Sequence, residues 1–313
     1  PKKDQLISIE DGKIVSIEEY HETNEEVIHA NVVAPGFFNC HVHIMEPAGF
    51  GANKEFTLME KAFYAQKHCK EYLESGVTFI RVVGTEENYD LQIKEAIENH
   101  VIEGPHMYCA GKVICMTGGH GWQEGIEADG KDACLKAVRT QLRSGVDLIK
   151  IMATGGVMTK GVEPGNAQFT VDEMKVMIEE AHKAGRKTAT HAQGLQGIKN
   201  ALYAGIDSIE HGCFLDDKCL ERMKEQNTFL VPTLCAPQCI IDKGVEPPVL
   251  VSMSELYAKR DKLAKEMEDF NNTPQGKALI EKMREAKIAR DNGTDAKKEK
   301  AREEIEELSA KKL

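Results

Sequence analysis

A (β/α)8 TIM-like barrel, α/β in class and preceded by a small N-terminal β segment, is the fold this sequence predicts. Seven short β-rich apolar runs alternate with amphipathic stretches between residues 36 and 234. Such alternation is the mark of parallel strands joined by crossover helices. Several amphipathic stretches stop at a glycine just before the next run, as helices do at their C-termini. No glycine-rich dinucleotide fingerprint follows the first run, which favours a closed barrel over an open doubly wound sheet.

The elements follow in order. LISIEDGKIVSI near the N-terminus alternates apolar and polar residues and is broken by Asp11-Gly12, a hairpin signal. HANVVAPG then leads into the repeating region. The β-rich runs are FFNCHVHI (37–44), VTFIRVV (77–83), HMYCAGKVI (106–114), DLIKIMA (147–153), KTATHA (187–192), DSIEHG (207–212) and TFLVPTL (228–234). Helices are expected near 57–74, 90–100, 131–144, 171–184, 194–204 and 216–226. Their stop signals are Ser75-Gly76, Ser144-Gly145, Ala184-Gly185 and Ala204-Gly205. Beyond about residue 243 the chain is charged and helix-like, and residues 276–313 are rich in Lys, Glu, Arg and Ala. The pattern offers no convincing eighth strand, so the barrel is expected with that strand incomplete.

The chain has 313 residues, and a barrel of this kind takes about 250, so one large domain with a small appendage fits. A net charge of -11 argues against a broad nucleic-acid or anionic-membrane surface. No apolar run approaches the roughly 20 residues of a membrane span. The first residues carry Lys2 and Lys3 without an apolar core behind them, so no signal peptide is read. Nine cysteines are scattered without any CxxC, which fits buried thiols in a reducing cytoplasm better than a disulfide framework. Oligomeric state is not legible, and a homo-oligomer stays open.

His41 and His43 flank Val42 at the end of the first run. Alternate residues of a strand point to one side, so both imidazoles can share one metal ion. Barrel active sites lie at that end of the strands. Taken alone the pair is a short motif of the kind that recurs by chance. Lys150 interrupts the apolar run DLIKIMA, and a buried lysine is expensive unless its charge is removed or paired. A carbamate formed with CO2 would turn it into a carboxylate-like metal bridge; snorkelling to the barrel mouth is the plainer alternative. His191 closes KTATHA and His211 lies at the end of DSIEHG. Four strand ends carrying HxH, Lys, His and His would converge on one mouth.

APGFFNCHVHI resembles the PG-(F/L)-ID-x-H-x-H signature of the amidohydrolase superfamily. TGGHG (117–121), DLIKIMATGGVM (147–158), THAQGLQGIKNALYAGIDSIEHG (190–212) and LVPTL (230–234) resemble its branch of imidazolonepropionase-related enzymes, Xaa-Pro dipeptidases and zinc-dependent arginine carboxypeptidases. The resemblance covers about residues 5–235. It implies two divalent metal ions, usually zinc, with His41 and His43 on one, His191 and His211 on the other, and a carboxylated Lys150 bridging both. It makes His120 a candidate substrate contact; a plain glycine-rich loop is the alternative. It also implies a general-base carboxylate after strand eight, usually in a GTDAG motif. Gly293-Thr294-Asp295-Ala296 is the match, and Asp295 would be catalytic and a metal ligand. The strand before it is weak, so a chance match in a solvated tail stays open.

Two further departures stand out. The family returns its C-terminus to complete a β-sandwich with the N-terminal strands, and no such strands are visible here. RVVGT at 81–85 replaces the family's RDVGG, putting Val82 where an acidic residue near the mouth is expected. The resulting division is a partial β-sandwich segment at 1–33, a metal-dependent hydrolase barrel at 34–295 and a charged helical tail at 296–313. The function implied is hydrolysis of an amide or peptide bond in a small substrate, a dipeptide or a C-terminal residue, by a metal-activated hydroxide. A cyclic-amide hydrolase, or an inactive metal-binding scaffold, are the alternatives.

Overall fold

The computed structural model describes residues 2–46, 56–157 and 159–243, with 265, 272–274 and 277. Strands β1 (Gln5–Glu10) and β2 (Lys13–Glu19) form the antiparallel hairpin expected from Asp11-Gly12. Asp11 and Gly12 have φ of 49° and 72°, the left-handed pair that a tight type I′ connection requires.

The repeating region is a set of parallel strands with helices between them. Strands β3 (Phe37–Val42), β4 (Val77–Val82) and β5 (His106–Cys109) make one parallel sheet in that order. A second sheet contains β6 (Ile114–Cys115), β7 (Ile126–Glu127), β8 (Leu148–Met152), β9 (Lys187–Ala192), β10 (Ser208–His211) and β11 (Phe229–Val231). Its order is β11-β10-β9-β8-β6-β7, parallel throughout. The helices are α1 (Leu58–Glu74), α2 (Tyr89–Glu98), α3 (Gly130–Ser144), α4 (Val171–Lys183), α5 (Leu195–Ala204), α6 (Asp217–Gln226) and α7 (Cys235–Lys243).

Local chemistry sets the helix ends. Thr57 with Glu60, and Thr170 with Glu173, close reciprocal capping boxes at the starts of α1 and α4. The four stop glycines at 76, 145, 185 and 205 all take positive φ, between 69° and 90°, which a side chain would strain.

The run 106–114 is not the single strand the sequence suggests. It splits into β5 and β6, which belong to different sheets. The peptide groups between them are taken by side chains instead of a strand partner. Asp90 accepts from Gly111 N–H, Asn88 accepts from Lys112 N–H, and Gln141 donates to the carbonyls of Ala110 and Lys112. Asp147 joins the sheets at this seam: its N–H donates to Cys109 O, and its carboxylate accepts from Cys109 N–H. Among the described residues no strand ladder links β5 to β6 or β3 to β11, so the closed ring of eight strands expected from the pattern is not formed there. The charged tail and Asp295 lie outside the described residues.

Strand β8 shows how the layers divide. All five residues, LIKIM, are buried. Ile149 and Ile151 pack outward with Val138, Met174, Met177, Ile178, Ile198 and Leu202, the main core beneath the helices. Leu148 faces inward with Ala110 and Ala189, and Met152 faces inward with Val113 and Cys115. Lys150 lies between those two inner layers, by the period-two alternation of a strand. Val82 is fully buried in a separate core with Val42, Ile80 and Met107, so it packs rather than lining the mouth. Among the described residues no helix is long and apolar enough to cross a membrane.

Candidate metal centre

Five imidazoles form a continuous chain at the C-terminal end of the parallel strands. Ring centroids are 4.3 Å apart for His120–His191, 4.6 Å for His191–His211, 4.9 Å for His211–His41 and 5.3 Å for His41–His43. His41 ends on β3 and His43 follows it. His191 lies on β9, His211 closes β10, and His120 sits in the loop after β6. Lys150, on β8, is 2% exposed and lies close enough to make His41, His120, His191 and His211 less basic. The six described residues singled out in the sequence are thus brought to one place, and Asp295 is outside the described residues.

The backbone explains how adjacent residues of β10 serve the same interior. In register, Met152, His191 and Glu210 stand side by side on β8, β9 and β10. Strict alternation would then turn His211 away from Glu210, towards the helices. His211 instead takes φ 69°, a left-handed conformation uncommon for residues other than glycine. The turn swings its ring back against His41 and His191. Thr233, at φ 49°, holds it there with a 2.7 Å contact from Oγ1 to His211 Nδ1.

Burial keeps most of these rings neutral. It is the largest cause in every case, with nearby Lys150 adding to it. His41 and His211 fall to about 3 and His120 to about 4, and His191 lies well below the usual histidine range. Neutral imidazole is the form that binds metal. Burial also lowers the Lys150 amine to about 8, against a partial opposing pull from Glu210. Lys150 Nζ has no hydrogen bond among the described residues.

Each of the four proposed histidine ligands commits one ring nitrogen to an oxygen. His41 Nδ1 donates to Glu210 Oε2 at 2.8 Å, and His43 Nδ1 meets Gly84 O at 3.3 Å. His191 Nε2 meets Gly155 O at 3.0 Å, and His211 Nδ1 meets Thr233 Oγ1. The other nitrogen of each ring is left for a further partner, the arrangement that orients metal-binding imidazoles. As the side chains stand, no group of three or more His, Cys, Asp or Glu among the described residues is arranged to hold a metal ion. That set leaves out Lys150, which becomes an anionic ligand only on carboxylation. The donor chemistry, neutral imidazoles around a buried amine with no fixed partner, fits a divalent metal.

Sequence reasoning missed Glu210 and Arg81. Glu210 has no exposed surface and is drawn to about 2: burial would raise it, and His41, Lys150 and Arg81 together outweigh that. Arg81 Nη2 donates to Glu210 Oε1 at 2.7 Å. A charged residue inside the run DSIEHG was the available signal, the same burial argument that picked out Lys150.

The family model for the amidohydrolase family matches residues 32–304. An ochratoxinase from Aspergillus niger is 28% identical over 293 residues, covering 82% of this chain and 59% of that protein. The chain thus spans less than two thirds of that relative's length. A solved Xaa-Pro dipeptidase with methionine in its active site aligns at TM-score 0.65 and 29% identity, over 75% of this chain and 63% of the other. A prolidase complexed with N-methylphosphonate-L-proline aligns at TM-score 0.70 and 25% identity, over 83% and 70%.

Proposed function

The chain belongs to the amidohydrolase family, and from that membership we propose that it hydrolyses an amide or peptide bond in a small substrate. Four histidines and a buried lysine, delivered by β3, β8, β9 and β10 to one mouth, carry this reading. His41 and His43 would hold one divalent ion and His191 and His211 a second, zinc being the expected metal. Bound there, the ions would bring the pKa of water towards neutral and polarise the scissile carbonyl.

The chain's own residues prepare the rest. With its amine lowered to about 8, Lys150 offers a neutral lone pair in mildly alkaline solution. That lone pair attacks the carbon of CO2, a C–N bond forms, one C=O pair moves onto oxygen, and the nitrogen loses a proton to solvent. The product is a carbamate anion at the end of the Lys150 side chain, which would offer carboxylate-like oxygen donors to the metal ions.

His120 is placed to act on the substrate. Gly121 N–H donates to Thr159 Oγ1 at 3.1 Å, and that hydroxyl lies 2.8 Å from His120 Nδ1. With the hydroxyl donating to Nδ1, the ring proton would sit on Nε2. A neutral Nε2–H can stabilise charge developing on the substrate carbonyl oxygen. Gly156 makes room for it: a Cβ there would fall 2.3 Å from His120 Nε2. The ring is pinned between Thr159 and His191, so it cannot swing away freely. Gly156→Ala is expected to lower kcat about 10²-fold by displacing the ring, with zinc content per chain unchanged by elemental analysis. Equal turnover in the variant would remove His120 from the chemistry.

Asp295 is assigned the proton transfers, from the nucleophile to the leaving amine, on its GTDA motif. The names of the relatives, a prolidase and an Xaa-Pro dipeptidase, favour a dipeptide as substrate. The test is amine release from a dipeptide panel, using protein prepared with zinc and bicarbonate. Asp295→Asn is expected to cost about 10²–10⁴-fold in kcat. An unchanged rate would overturn that assignment. Full wild-type activity after exhaustive chelation, or no hydrolysis and no bound zinc at all, would overturn the metal-dependent reading itself.

A further inference from the structure

We propose that Glu210 is a positioning residue that fixes His41 in the one tautomer able to offer a lone pair to a metal ion; this rests on the metal site proposed above. Both Glu210 oxygens are committed. Oε2 accepts from His41 Nδ1 at 2.8 Å, and Oε1 accepts from Arg81 Nη2 and Ser208 Oγ, each at 2.7 Å. Arg81 is held in turn: Nη1 donates to Ser208 Oγ at 3.1 Å and Nε to Cys40 O at 2.6 Å. Glu210 is therefore not itself a ligand.

The chemistry of the partners leaves no choice of proton position. A carboxylate only accepts and a guanidinium only donates. Oε1 facing Arg81 must accept, and Oε2 facing His41 accepts as well, so the His41 proton lies on Nδ1. The Nε2 lone pair is then free for the cluster, where the rings of His211 and His43 lie 4.9 and 5.3 Å away. The partners of His43, His191 and His211 are uncharged oxygens of Gly84, Gly155 and Thr233. Thr233 Oγ1 can donate as well as accept, so it does not dictate a tautomer. Only His41 faces an ionised acceptor that is itself locked by a guanidinium.

Glu210→Gln tests this with almost no change of shape. Arg81 has no acceptor to offer, so the glutamine oxygen must take the Oε1 position and its NH2 group must face His41 Nδ1. Nδ1 then has to accept, and the ring proton moves to Nε2, where it blocks the lone pair. Ring-nitrogen NMR of the metal-free full chain is expected to find His41 protonated on Nδ1 in the wild type and on Nε2 in Glu210→Gln. Zinc affinity, measured by competition with a chelator, is expected to fall about 10–100-fold in the variant, with an unchanged circular dichroism spectrum. Neither readout needs turnover, so a failure to hydrolyse amides would count against the proposed function alone. Wild-type His41 protonated on Nε2, or a folded variant that binds zinc as tightly as wild type, would overturn the role of Glu210. Should Glu210→Gln not fold, the wild-type tautomer decides by itself.

Discussion

Lys150→Met is expected to remove metal binding and activity while making the metal-free protein more stable. Lys150 is 2% exposed on the inner face of β8, without a hydrogen bond among the described residues. Its amine falls from 10.5 to about 8, chiefly through burial. The sign follows from linkage. The folded chain holds this proton less tightly than the unfolded chain, so folding pH-dependence runs upward: the penalty is full below about 8 and disappears as pH rises towards 10.5. A depression of that size corresponds to on the order of 3 kcal/mol at neutral pH. Removing the cation also removes its attraction for Glu210, which keeps His41 and Arg81 as partners. The net gain is therefore about 1–3 kcal/mol, or roughly 2–8 °C in melting temperature at pH 7 in chelator. The gap should close above pH 10. With no amine to carboxylate, the variant should lose bridged metal, and hydrolysis should fall at least about 10³-fold, since metal polarisation supplies several kcal/mol. A variant that melts below wild type at neutral pH would show Lys150 to be structural rather than held at a cost for chemistry.

The parts of this molecule that were legible in the sequence are those set by local pattern. Alternation, capping residues and stop glycines located α1 to α6 and the strands β3, β4, β8, β9 and β10 to within a residue or two, because each depends on neighbours in the chain; the short β7 was not foreseen, and β11 ends three residues before its run does. The split of residues 106–114 into β5 and β6 was not legible. An apolar run carries no sign that Asn88, Asp90 and Gln141, from two helical regions, will take its peptide groups. The site divides the same way. His41, His43, Lys150, His191 and His211 each sit at or near a strand end and could be read one by one. Arg81 and Glu210 are 129 residues apart, and Glu210 and His41 are 169 apart. Their pairing is a property of the folded inner face. Val82, at the C-terminal end of β4, turns into the core with Ile80 because its neighbour Arg81 faces Glu210, a side that alternation assigns only once the partner of Arg81 is known.

The inner face also has to settle its charges without water, and that makes Arg81 a larger contributor to stability than to binding. Arg81 is 17% exposed at its side chain and Glu210 not at all. Breaking a buried pair by deleting one partner costs about 3–5 kcal/mol, because the other charge stays desolvated. Arg81→Met is expected to destabilise the chain by that amount at pH 7 in urea unfolding, a large share of a typical total of about 5–15 kcal/mol. Cys40 O would lose its donor in the same change. The pH dependence identifies the cause. Glu210 titrates at about 2 in the fold against an ordinary 4.5, so its contribution is complete above 4.5 and is lost as pH falls through about 2. Without the guanidinium, burial pulls the folded carboxyl back up, and protonation at mildly acidic pH relieves the unpaired charge. The difference between wild type and Arg81→Met should therefore be greatest near neutrality and shrink steadily as pH falls from 4.5 towards 2. A difference that stays constant over that range would mean that Arg81 supports β3 and β10 through packing and its Cys40 contact, with the ion pair contributing little.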